Sequence, residues 1–419
     1  MSSGLVRSWV EGANAPDGPF PLNNLPCGVF SAGEAAARCG MAIGASVLDV
    51  AGLEAAGLLA LPGGPFLDVP FWNRLMAAGP AVWAALRDRL VALLAEGAAE
   101  RPAVAPYLYP LSDVALHLPF VVSEYTDFYA GRHHAFNVGS MFRGAENALP
   151  PNWMHMPIGY NGRASSVIVS GRSVRRPWGQ VKGPDHDLPT FQPSRRFDFE
   201  LELGAVVGLP SEGPVTVAEA EEMIFGYVLL NDWSARDIQA WEYQPLGPFQ
   251  SKATATTISP WIVMKAALEA FRVPTPAREV PLLPYLHDPR PRLYDIALDV
   301  VLTPEGGVET VISRTNYAEM SYSAPQQLAH HTTSGCAMRT GDLLGSGTIS
   351  GPTKDSRGSL LELSWGGKEP ITITGGRRSF LEDNDTLTLR GVCRGQGYTI
   401  GFGDCSGKVI PALEDPYAR

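Results

Sequence analysis

Alternating carboxylates are the first residues in this chain that could do chemistry. The segment "RFDFELELG" places Asp198, Glu200 and Glu202 at every second position, with apolar residues between them. Successive side chains of a β-strand point to opposite faces, so the three acids would share one face. Burying them is costly unless a cation is present, and hard divalent cations prefer oxygen ligands. Glu200 and Glu202 therefore predict half of a metal site, although an exposed polar sheet face explains the same pattern.

Two further acids could complete this site. Asp127 lies in "EYTDFYAGRHH", and Asp232 follows the apolar run "IFGYVLL". An acid at the end of a buried element is well placed to face a cleft, whereas aspartate also serves as a cap or turn former. The sequence nominates both residues as ligands but does not by itself bring the four acids together.

Histidines follow closely after Asp127. His133 and His134 are adjacent, and imidazole has the unperturbed pKa that a general base needs near neutral pH. A structural or surface histidine is the alternative. His330 and His331, in "QQLAHHTT", are typical of a helix end and are interpreted as structural. A zinc site is not indicated, because the chain has neither an H-E-x-x-H motif nor a cysteine cluster.

Basic and phenolic side chains could bind an anionic substrate. Arg143, Arg236 and Lys252 are candidate carboxylate or oxyanion binders, and Tyr129 and Tyr160 could add hydroxyl donors. Solvated bases and core tyrosines are the competing interpretations. The stretch 235–261, "ARDIQAWEYQPLGPFQSKATATTISPW", holds an arginine and a lysine among prolines and tryptophans. Such residues would stiffen a loop and hold its donors in place.

The elements that must position these residues fall into two groups, which we interpret as domains 1–118 and 119–419. The first group has helical stretches near 51–60 and 71–98, and Gly79-Pro80 should divide the second stretch. The proline-rich segment "RPAVAPYLYPLSDVALHLPF" is interpreted as a linker. Beyond it, "TVAEAEEMIFGYVLLND" and "APQQLAHHTT" favour helix. Strands are predicted for the short runs "SSVIVSG", "FDFELELGAVVG", "LYDIALDVVLTP", "LLELSWGG", "LTLRGVC" and "YTIGFG". The second domain is therefore predicted to be mainly β with some α, as a rolled or barrel-like sheet.

Composition narrows the class of protein. The 419 residues are 45% hydrophobic and 18% charged, which is typical of a globular chain. The net charge of −10, without a basic tract, disfavours nucleic acid as a partner. Five cysteines without C-x-x-C spacing, no signal peptide and no unbroken apolar segment predict a cytoplasmic protein that does not enter a membrane. The Walker A, G-x-G-x-x-G and G-x-S-x-G motifs are absent from the sequence.

Long motifs along nearly the whole chain resemble the fumarylacetoacetate hydrolase family. They include "SWVEGANAPDGPFPLNNLPCGVF", "YTDFYAGRHHAFNVGSMFRG", "NDWSARDIQAWEYQPLGPF", "GDLLGSGTISGP" and "LLELSWGG", in order and with their spacing intact. The resemblance implies a small N-terminal SH3-like barrel domain and a larger C-terminal β-roll domain, in a homodimer. It also implies an enzyme that uses Mg²⁺ or Ca²⁺ to hydrolyse the carbon–carbon bond of fumarylacetoacetate, a diketo dicarboxylate. The products are fumarate and acetoacetate, in the last step of tyrosine and phenylalanine degradation.

The same resemblance assigns roles to individual residues. The metal-binding positions fall on Asp127, Glu200, Glu202 and Asp232, with Lys252 and Thr256 in the same region. The catalytic positions fall on His134 as base, Glu362 as its orienting carboxylate, and Arg236, Gln239 and Lys252. The substrate-binding positions fall on Tyr129, Arg143, Tyr160, Arg236, Gln239 and Thr348. Asp198 is left outside these sets. Ala255 stands where the family has glycine, which would be strained only at positive φ.

Two other functions fit a chain of this family. One is a related acylpyruvate or diketo-acid hydrolase or decarboxylase, which the presence of the N-terminal domain disfavours. The other is a noncatalytic binding homologue, which the retention of His134, Glu362 and the four acids disfavours.

Overall fold

The first part of the molecule is an antiparallel β-sheet. The computed structural model describes residues 4–183, 185–415 and 417–418, so the outermost ends of the two predicted domains lie outside the described residues. The strands of this sheet are β1 Cys27–Ala32, β2 Arg38–Ile43, β3 Ser46–Leu48, β4 Leu108–Pro110 and β5 Val114–His117. They lie in the order β4-β3-β2-β1-β5. The small N-terminal β unit predicted from the sequence is confirmed.

Four helices accompany this sheet: α1 Val50–Ala55, α2 Asn73–Ala77, α3 Pro80–Leu94 and α4 Arg101–Val104. Gly79, with φ of +90°, separates α2 from α3, and Pro80 is the first residue of α3. The predicted division at Gly79-Pro80 is therefore confirmed. The predicted linker is wrong, because its residues form α4, β4 and β5. Its prolines fit there, since Pro102 lies in the first turn of a helix and Pro110 ends an edge strand.

The remainder of the chain is rich in short strands. They are β6 Tyr125–Phe128, β7 Gly159–Asn161, β8 Val167–Val169, β9 Val174–Arg175, β10 Trp178–Val181, β11 Thr190–Pro193, β12 Phe197–Asp198, β13 Leu201–Val207, β14 Ile224–Asp232, β15 Ser234–Ala235, β16 Thr256–Ile258, β17 Val263–Met264, β18 Arg272–Val273, β19 Leu293–Tyr294, β20 Ala297–Thr303, β21 Thr310–Asn316, β22 Leu343–Gly345, β23 Ile371–Ile373, β24 Gly376–Arg378, β25 Thr386–Arg394, β26 Thr399–Gly401 and β27 Cys405–Ile410. The helices are α5 Arg132–Arg143, α6 Val217–Met223, α7 Arg236–Glu242, α8 Lys265–Leu268, α9 Ala324–His331 and α10 Leu360–Leu363.

A curled sheet at the centre of this part carries the candidate site. Its strands lie in the order β7-β6-β22-β13-β14-β16-β8, and β17 also pairs with β14. Every residue of β14 is buried, and its apolar side chains face two cores. Tyr227 and Leu229 pack in the larger core, whereas Val228 and Leu230 pack in a second core that includes N-terminal residues such as Val29. The larger, rolled β unit predicted from the sequence is thus confirmed, while the domain boundary at 118/119 stays a prediction.

The secondary structure of two segments was predicted wrongly. The run "TVAEAEEMIFGYVLLND" is helical only over α6, which begins at a capping box of Thr216 and Glu219, and it continues as β14. A strand that is buried on both faces has a continuous apolar sequence, and this sequence resembles that of a buried helix. The run "LLELSWGG" forms α10 instead of a strand. Ser359 caps α10 by accepting a hydrogen bond from the backbone N–H of Glu362.

Helix α9 and the state of the cysteines agree with the sequence predictions. Helix α9 forms where "APQQLAHHTT" predicts it, and all five cysteines are free thiols. A second sheet, in the order β21-β20-β25-β27-β9 with β26 beside β25, closes the larger core. None of the helices within the described ranges combines the length and the apolar character that crossing a bilayer requires.

Candidate active site

Four acids converge across the inner strands of the central sheet. Each of Asp127, Glu200, Glu202 and Asp232 offers one carboxylate oxygen, and these oxygens all lie within 4.8 Å of one another. Asp127 belongs to β6, Glu202 to β13 and Asp232 to the end of β14, while Glu200 immediately precedes β13. Strand pairing explains the convergence, because β22 joins β6 to β13 and β13 pairs with β14.

This acid cluster fits a divalent cation. Asp127 Oδ1, Glu202 Oε1 and Asp232 Oδ1 are buried and have no hydrogen-bond partner among the described residues. Oxygens without partners in an interior are costly, and a hard cation would bind them. Gly345 leaves the necessary room, since a Cβ there would lie 2.9 Å from both Asp127 Oδ1 and Glu202 Oε2. The cluster is therefore a candidate divalent metal site.

The acids of the cluster differ in their electrostatics. Burial, and then the neighbouring carboxylates, raise the pKa of Asp127 and of Glu202 well above the usual values. Burial also raises the pKa of Asp232, although Lys252 opposes it. Burial alone would raise the pKa of Glu200 as well, but Lys252, then Arg236 and His134, outweigh burial and lower it. Glu200 is thus the acid that side-chain cations already stabilise.

A histidine–carboxylate pair lies beside the acid cluster. His134, on α5, is 3% exposed, and its Nδ1 lies 2.7 Å from Glu362 Oε2 on α10. The hydrogen bonds of Glu362 come from Ser359 and Asn137, at 2.8 and 2.9 Å, and from Ser350, at 3.0 Å to each carboxylate oxygen. Burial would raise the pKa of Glu362, but the interaction with His134 and these hydrogen bonds lower it.

The ionised Glu362 determines the tautomer of His134. A carboxylate only accepts hydrogen bonds, so Nδ1 is the ring nitrogen that donates to Glu362. Nε2 lies 3.7 Å from Glu200 Oε1, on the side of the acid cluster. The second ring nitrogen of His134 therefore faces the candidate metal site.

Two cationic side chains line the same edge of the cluster. Lys252 Nζ lies 2.6 Å from Glu200 Oε2 and 2.5 Å from Asp232 Oδ2. Arg236 Nη1 lies 2.6 Å from Glu200 Oε1 and 3.1 Å from Gln239 Oε1. Burial opposes their charge, but the acids outweigh it and raise the pKa of both residues. The Nη2 group of Arg236 is buried and has no acceptor within the part of the chain that the structure describes.

A cavity of about 380 Å³ opens in front of these groups. Its lining includes His134, Asp127, Glu200, Arg236, Lys252 and Gln239, together with Tyr129, Tyr160, Arg143 and Thr348. Tyr160 donates a hydrogen bond of 2.7 Å to Asp127 Oδ2, and Thr348 Oγ1 is buried without a partner in the described ranges. Arg143 donates to the backbone carbonyls of Asn147 and Ala148. Glu202, Asp232 and Glu362 lie behind this lining.

Some residues of the site were not predicted from the sequence. The rim of the cavity is apolar and includes Val138, Phe142, Tyr243 and Leu246, of which Leu246 is 94% exposed. Asn137 and Ser350 bind Glu362, although Asn137 is 225 positions away from it. The spacing of Phe142 and Val138 on one helix was an available signal for the rim, whereas the contacts of Ser350 carried none.

The backbone around Ala255 and Thr256 is compatible with the predictions made for these two residues. Ala255 is buried and is not among the described residues with positive φ, so the departure from glycine causes no backbone strain. Thr256 pairs with Asp232 in the register of β14 and β16, which places its backbone beside the acid cluster.

The other histidine pair lies away from this cluster. His331 binds Thr126 at 2.9 Å and His330 binds Tyr285 at 3.0 Å, as expected of structural histidines.

The sequence matches known proteins along nearly its whole length. Residues 124–410 match the family model described as fumarylacetoacetate (FAA) hydrolase C-terminal, and residues 23–119 match fumarylacetoacetase N-terminal. The fumarylacetoacetase of Homo sapiens is 46% identical over 415 residues, which cover 95% of this chain and 98% of the human protein. The Caenorhabditis elegans enzyme is 47% identical over 423 residues, 97% of this chain and all of that protein, and the Arabidopsis thaliana enzyme is 45% identical over 422 residues, 97% of this chain and 99% of that protein.

Solved structures support the same fold. A fumarylacetoacetate hydrolase from Exiguobacterium antarcticum has a TM-score of 0.53 and 16% sequence identity, and the match covers 92% of this chain and 99% of that one. A maleylpyruvate hydrolase from Sphingobium has a TM-score of 0.52 and 16% identity, with 92% of this chain and all of that one covered. At such identities the likeness concerns the fold alone.

Proposed function

The chain belongs to the fumarylacetoacetate hydrolase family and functions as a fumarylacetoacetase, and we propose that the acid cluster and the His134–Glu362 pair carry this reaction. Water and fumarylacetoacetate give fumarate and acetoacetate. The oxygen of water enters the new carboxylate of fumarate, the carbon–carbon bond breaks, and the carbon that leaves takes up a proton. The observation that carries the proposal is that Nε2 of His134, whose Nδ1 is held by Glu362, faces the cluster of four convergent carboxylates.

The acid cluster would hold the divalent cation. Asp127, Glu200, Glu202 and Asp232 supply the oxygens, and either Mg²⁺ or Ca²⁺ accepts such a set. When bound, the cation would supply Lewis-acid polarisation of a substrate carbonyl. Tyr160 and Lys252 orient the carboxylates through their hydrogen bonds to Asp127, Asp232 and Glu200.

His134 acts as the general base on water. Its Nε2 accepts the proton, while Glu362 holds Nδ1 and stabilises the imidazolium that forms. Arg236, Gln239 and Lys252 stabilise the negative charge that develops on the attacked carbonyl oxygen and on the leaving carbon fragment. Arg236 Nη2 is suited to this role because it is buried and has no other acceptor among the described residues.

The cavity binds the rest of the substrate. Arg143, Tyr129 and Thr348 are the polar groups that would receive substrate oxygens, Tyr160 lines the same cavity while it holds Asp127, and the apolar rim would cover the carbon chain. Arginine suits a carboxylate because its guanidinium presents paired donors. A cavity of about 380 Å³ admits one small diketo acid and excludes bulk water when it is filled.

Product analysis tests the proposed function. Purified protein is incubated with fumarylacetoacetate before chelation, after chelation, and after re-addition of Mg²⁺ or Ca²⁺. We expect fumarate and acetoacetate in equal amounts, loss of turnover with chelator, and recovery with metal. Release of carbon dioxide would indicate a decarboxylase, preferential cleavage of acylpyruvates would indicate a related hydrolase, and the absence of any product would indicate a binding homologue.

The assembly and location of the chain complete the proposal. The family resemblance supports a homodimer, which light scattering would report as twice the 45.0 kDa of one chain. A monomer at micromolar concentration would contradict it. A cytoplasmic location is supported by the five free thiols, and cell fractionation tests it.

A further inference from the structure

Asp198 lies outside the proposed metal and catalytic residues, yet it is completely buried and fully hydrogen-bonded. Its Oδ1 accepts hydrogen bonds from the backbone N–H groups of Phe199 and Leu360, both at 2.8 Å. Its Oδ2 accepts from the backbone N–H of Leu361 and from Arg236 Nε, both at 2.9 Å. All four partners are donors, so the side chain acts only as an acceptor.

Three of these bonds, from Leu360, Leu361 and Arg236, connect the two halves of the active site. Leu360 and Leu361 are the first two residues of α10, and Glu362, which holds His134, is the next. Arg236 begins α7 and contacts Glu200 of the acid cluster. Asp198 itself is held opposite Ser234 by the pairing of β12 with β15. One carboxylate therefore ties the segment that orients the base to the guanidinium that faces the acids.

We propose that Asp198 is a positioning residue that sets the relative placement of the His134–Glu362 pair and Arg236. It touches neither substrate nor reacting atoms, and it acts through the α10 backbone and the Arg236 side chain. The proposal rests on the proposed function, because it assigns Asp198 to the same site. Loss of a supporting hydrogen-bond partner typically lowers activity by about 10- to 100-fold.

Asp198→Asn is the principal test variant, because asparagine keeps the shape but replaces one acceptor oxygen with a donor. That donor would face N–H groups that need an acceptor. Asp198→Ser is the second variant, for use if Asp198→Asn does not fold. Serine is shorter and places no amide donor against these N–H groups. Asp385→Asn is the matched control. Asp385 is also completely buried and accepts from Arg378 Nε and Nη2 at 2.9 Å, but neither residue lines the cavity.

Steady-state kinetics and hydrogen exchange provide the two readouts. We expect Asp198→Asn and Asp198→Ser to lower kcat by roughly 10- to 100-fold while KM changes by less than about threefold. Asp385→Asn should change kcat by less than about twofold, whatever it does to stability. Exchange of the backbone amides in residues 359–363 should be faster in the Asp198 variants than in the wild type or the control.

Double variants distinguish positioning from general stabilisation. When Asp198→Asn is added to Glu362→Gln or to Arg236→Gln, we expect a further loss of less than about threefold in each case. The proposal would be overturned by any of three results. The Asp198 variants fold and keep the wild-type kcat, the losses in kcat multiply in both double variants, or neither Asp198 variant folds. A wild-type protein without turnover would count against the proposed function, while hydrogen exchange would still report on Asp198.

Discussion

The two carboxylate groups on either side of His134 differ in how their oxygens are bonded. Glu362 is completely buried, and each of its oxygens accepts a hydrogen bond from its own donor and also lies 3.0 Å from the shared hydroxyl of Ser350. In the acid cluster, Asp127, Glu202 and Asp232 each leave one buried oxygen without a partner among the described residues. The pKa of Glu362 is lowered, whereas that of Glu202 is raised.

This difference in bonding indicates that Glu362 orients His134, whereas the acid cluster binds a cation. A fully bonded carboxylate is held in place before any ligand arrives, so it can hold an imidazole in one tautomer. A carboxylate with a free buried oxygen is unfavourable until a cation arrives, so it identifies a binding site. Removing a charge should therefore have opposite consequences for stability on the two sides of His134.

The largest effect is expected at the residue between the two groups. His134→Ala removes the base and should lower kcat by about 10²- to 10⁴-fold. Metal content should be unchanged, because the acid cluster is intact. His133→Ala is the matched control, since the neighbouring His133 pairs with Glu319, outside the cavity, and kcat should stay within about twofold of the wild type. Near-normal turnover of folded His134→Ala would contradict the assignment of the base.

A smaller loss is expected on the orienting side. Glu362→Gln keeps the size of the side chain but removes the charge that stabilises the imidazolium, so kcat should fall by roughly 10- to 100-fold. Stability should also fall, because the Ser350, Ser359 and Asn137 donors lose an acceptor. Glu319→Gln makes the same change in the neighbouring histidine–carboxylate pair and should have little effect on kcat. Equal losses in the two variants would show that Glu362 has no special role.

The smallest effect is expected on the stability of the metal-free protein. Glu202 and Asp127 have raised pKa values in the folded state, so the folded chain binds more protons than the unfolded chain above the usual carboxyl pKa of about 4. The free energy of unfolding should therefore fall as the pH rises from 5.5 toward 7.5 in chelator. Added cation should reduce this slope, because it favours the ionised acids.

Urea unfolding at the two pH values measures this dependence. In chelator at pH 7.5, Glu202→Gln should be more stable than the wild type by about 1 kcal/mol, the usual size of a single-site effect. With metal present, the order should reverse. A wild-type protein that gains stability with rising pH in chelator, relative to Glu202→Gln, would contradict the difference drawn between the two groups.

The sequence alone nominated side chains that the structure brings together, whereas it predicted some of the elements around them wrongly. The four acids, His134 and Glu362 were all nominated, because long motifs of the second predicted domain contain them, and their individual roles stay predictions. The run that forms β14 was wrongly predicted as helix, because a strand buried on both faces has the same continuous apolar sequence as a buried helix. The four-residue helix α10 was missed although Ser359 caps it locally, because its first two N–H groups are satisfied by Asp198, which is 162 positions away from Leu360.

Long-range contacts also explain what was missed at the site itself. Sequence alternation placed Asp198 with the other acids, but only the fold shows that it binds Arg236 and the start of α10. The acceptors that Ser350 and Asn137 find at Glu362 likewise depend on how α5, α10 and the loop after β22 meet. Local spacing carries no information about such meetings.

Metal stoichiometry tests the central claim most directly. Wild type, Glu202→Gln and the Asp385→Asn control are stripped of metal, dialysed against equal Mg²⁺ or Ca²⁺, and analysed by mass spectrometry for metal per chain. We predict close to one ion for the wild type and the control, and much less for Glu202→Gln. A wild type that retains neither ion, or a Glu202→Gln variant that binds as much as the wild type, would contradict the claim that these four acids hold one cation.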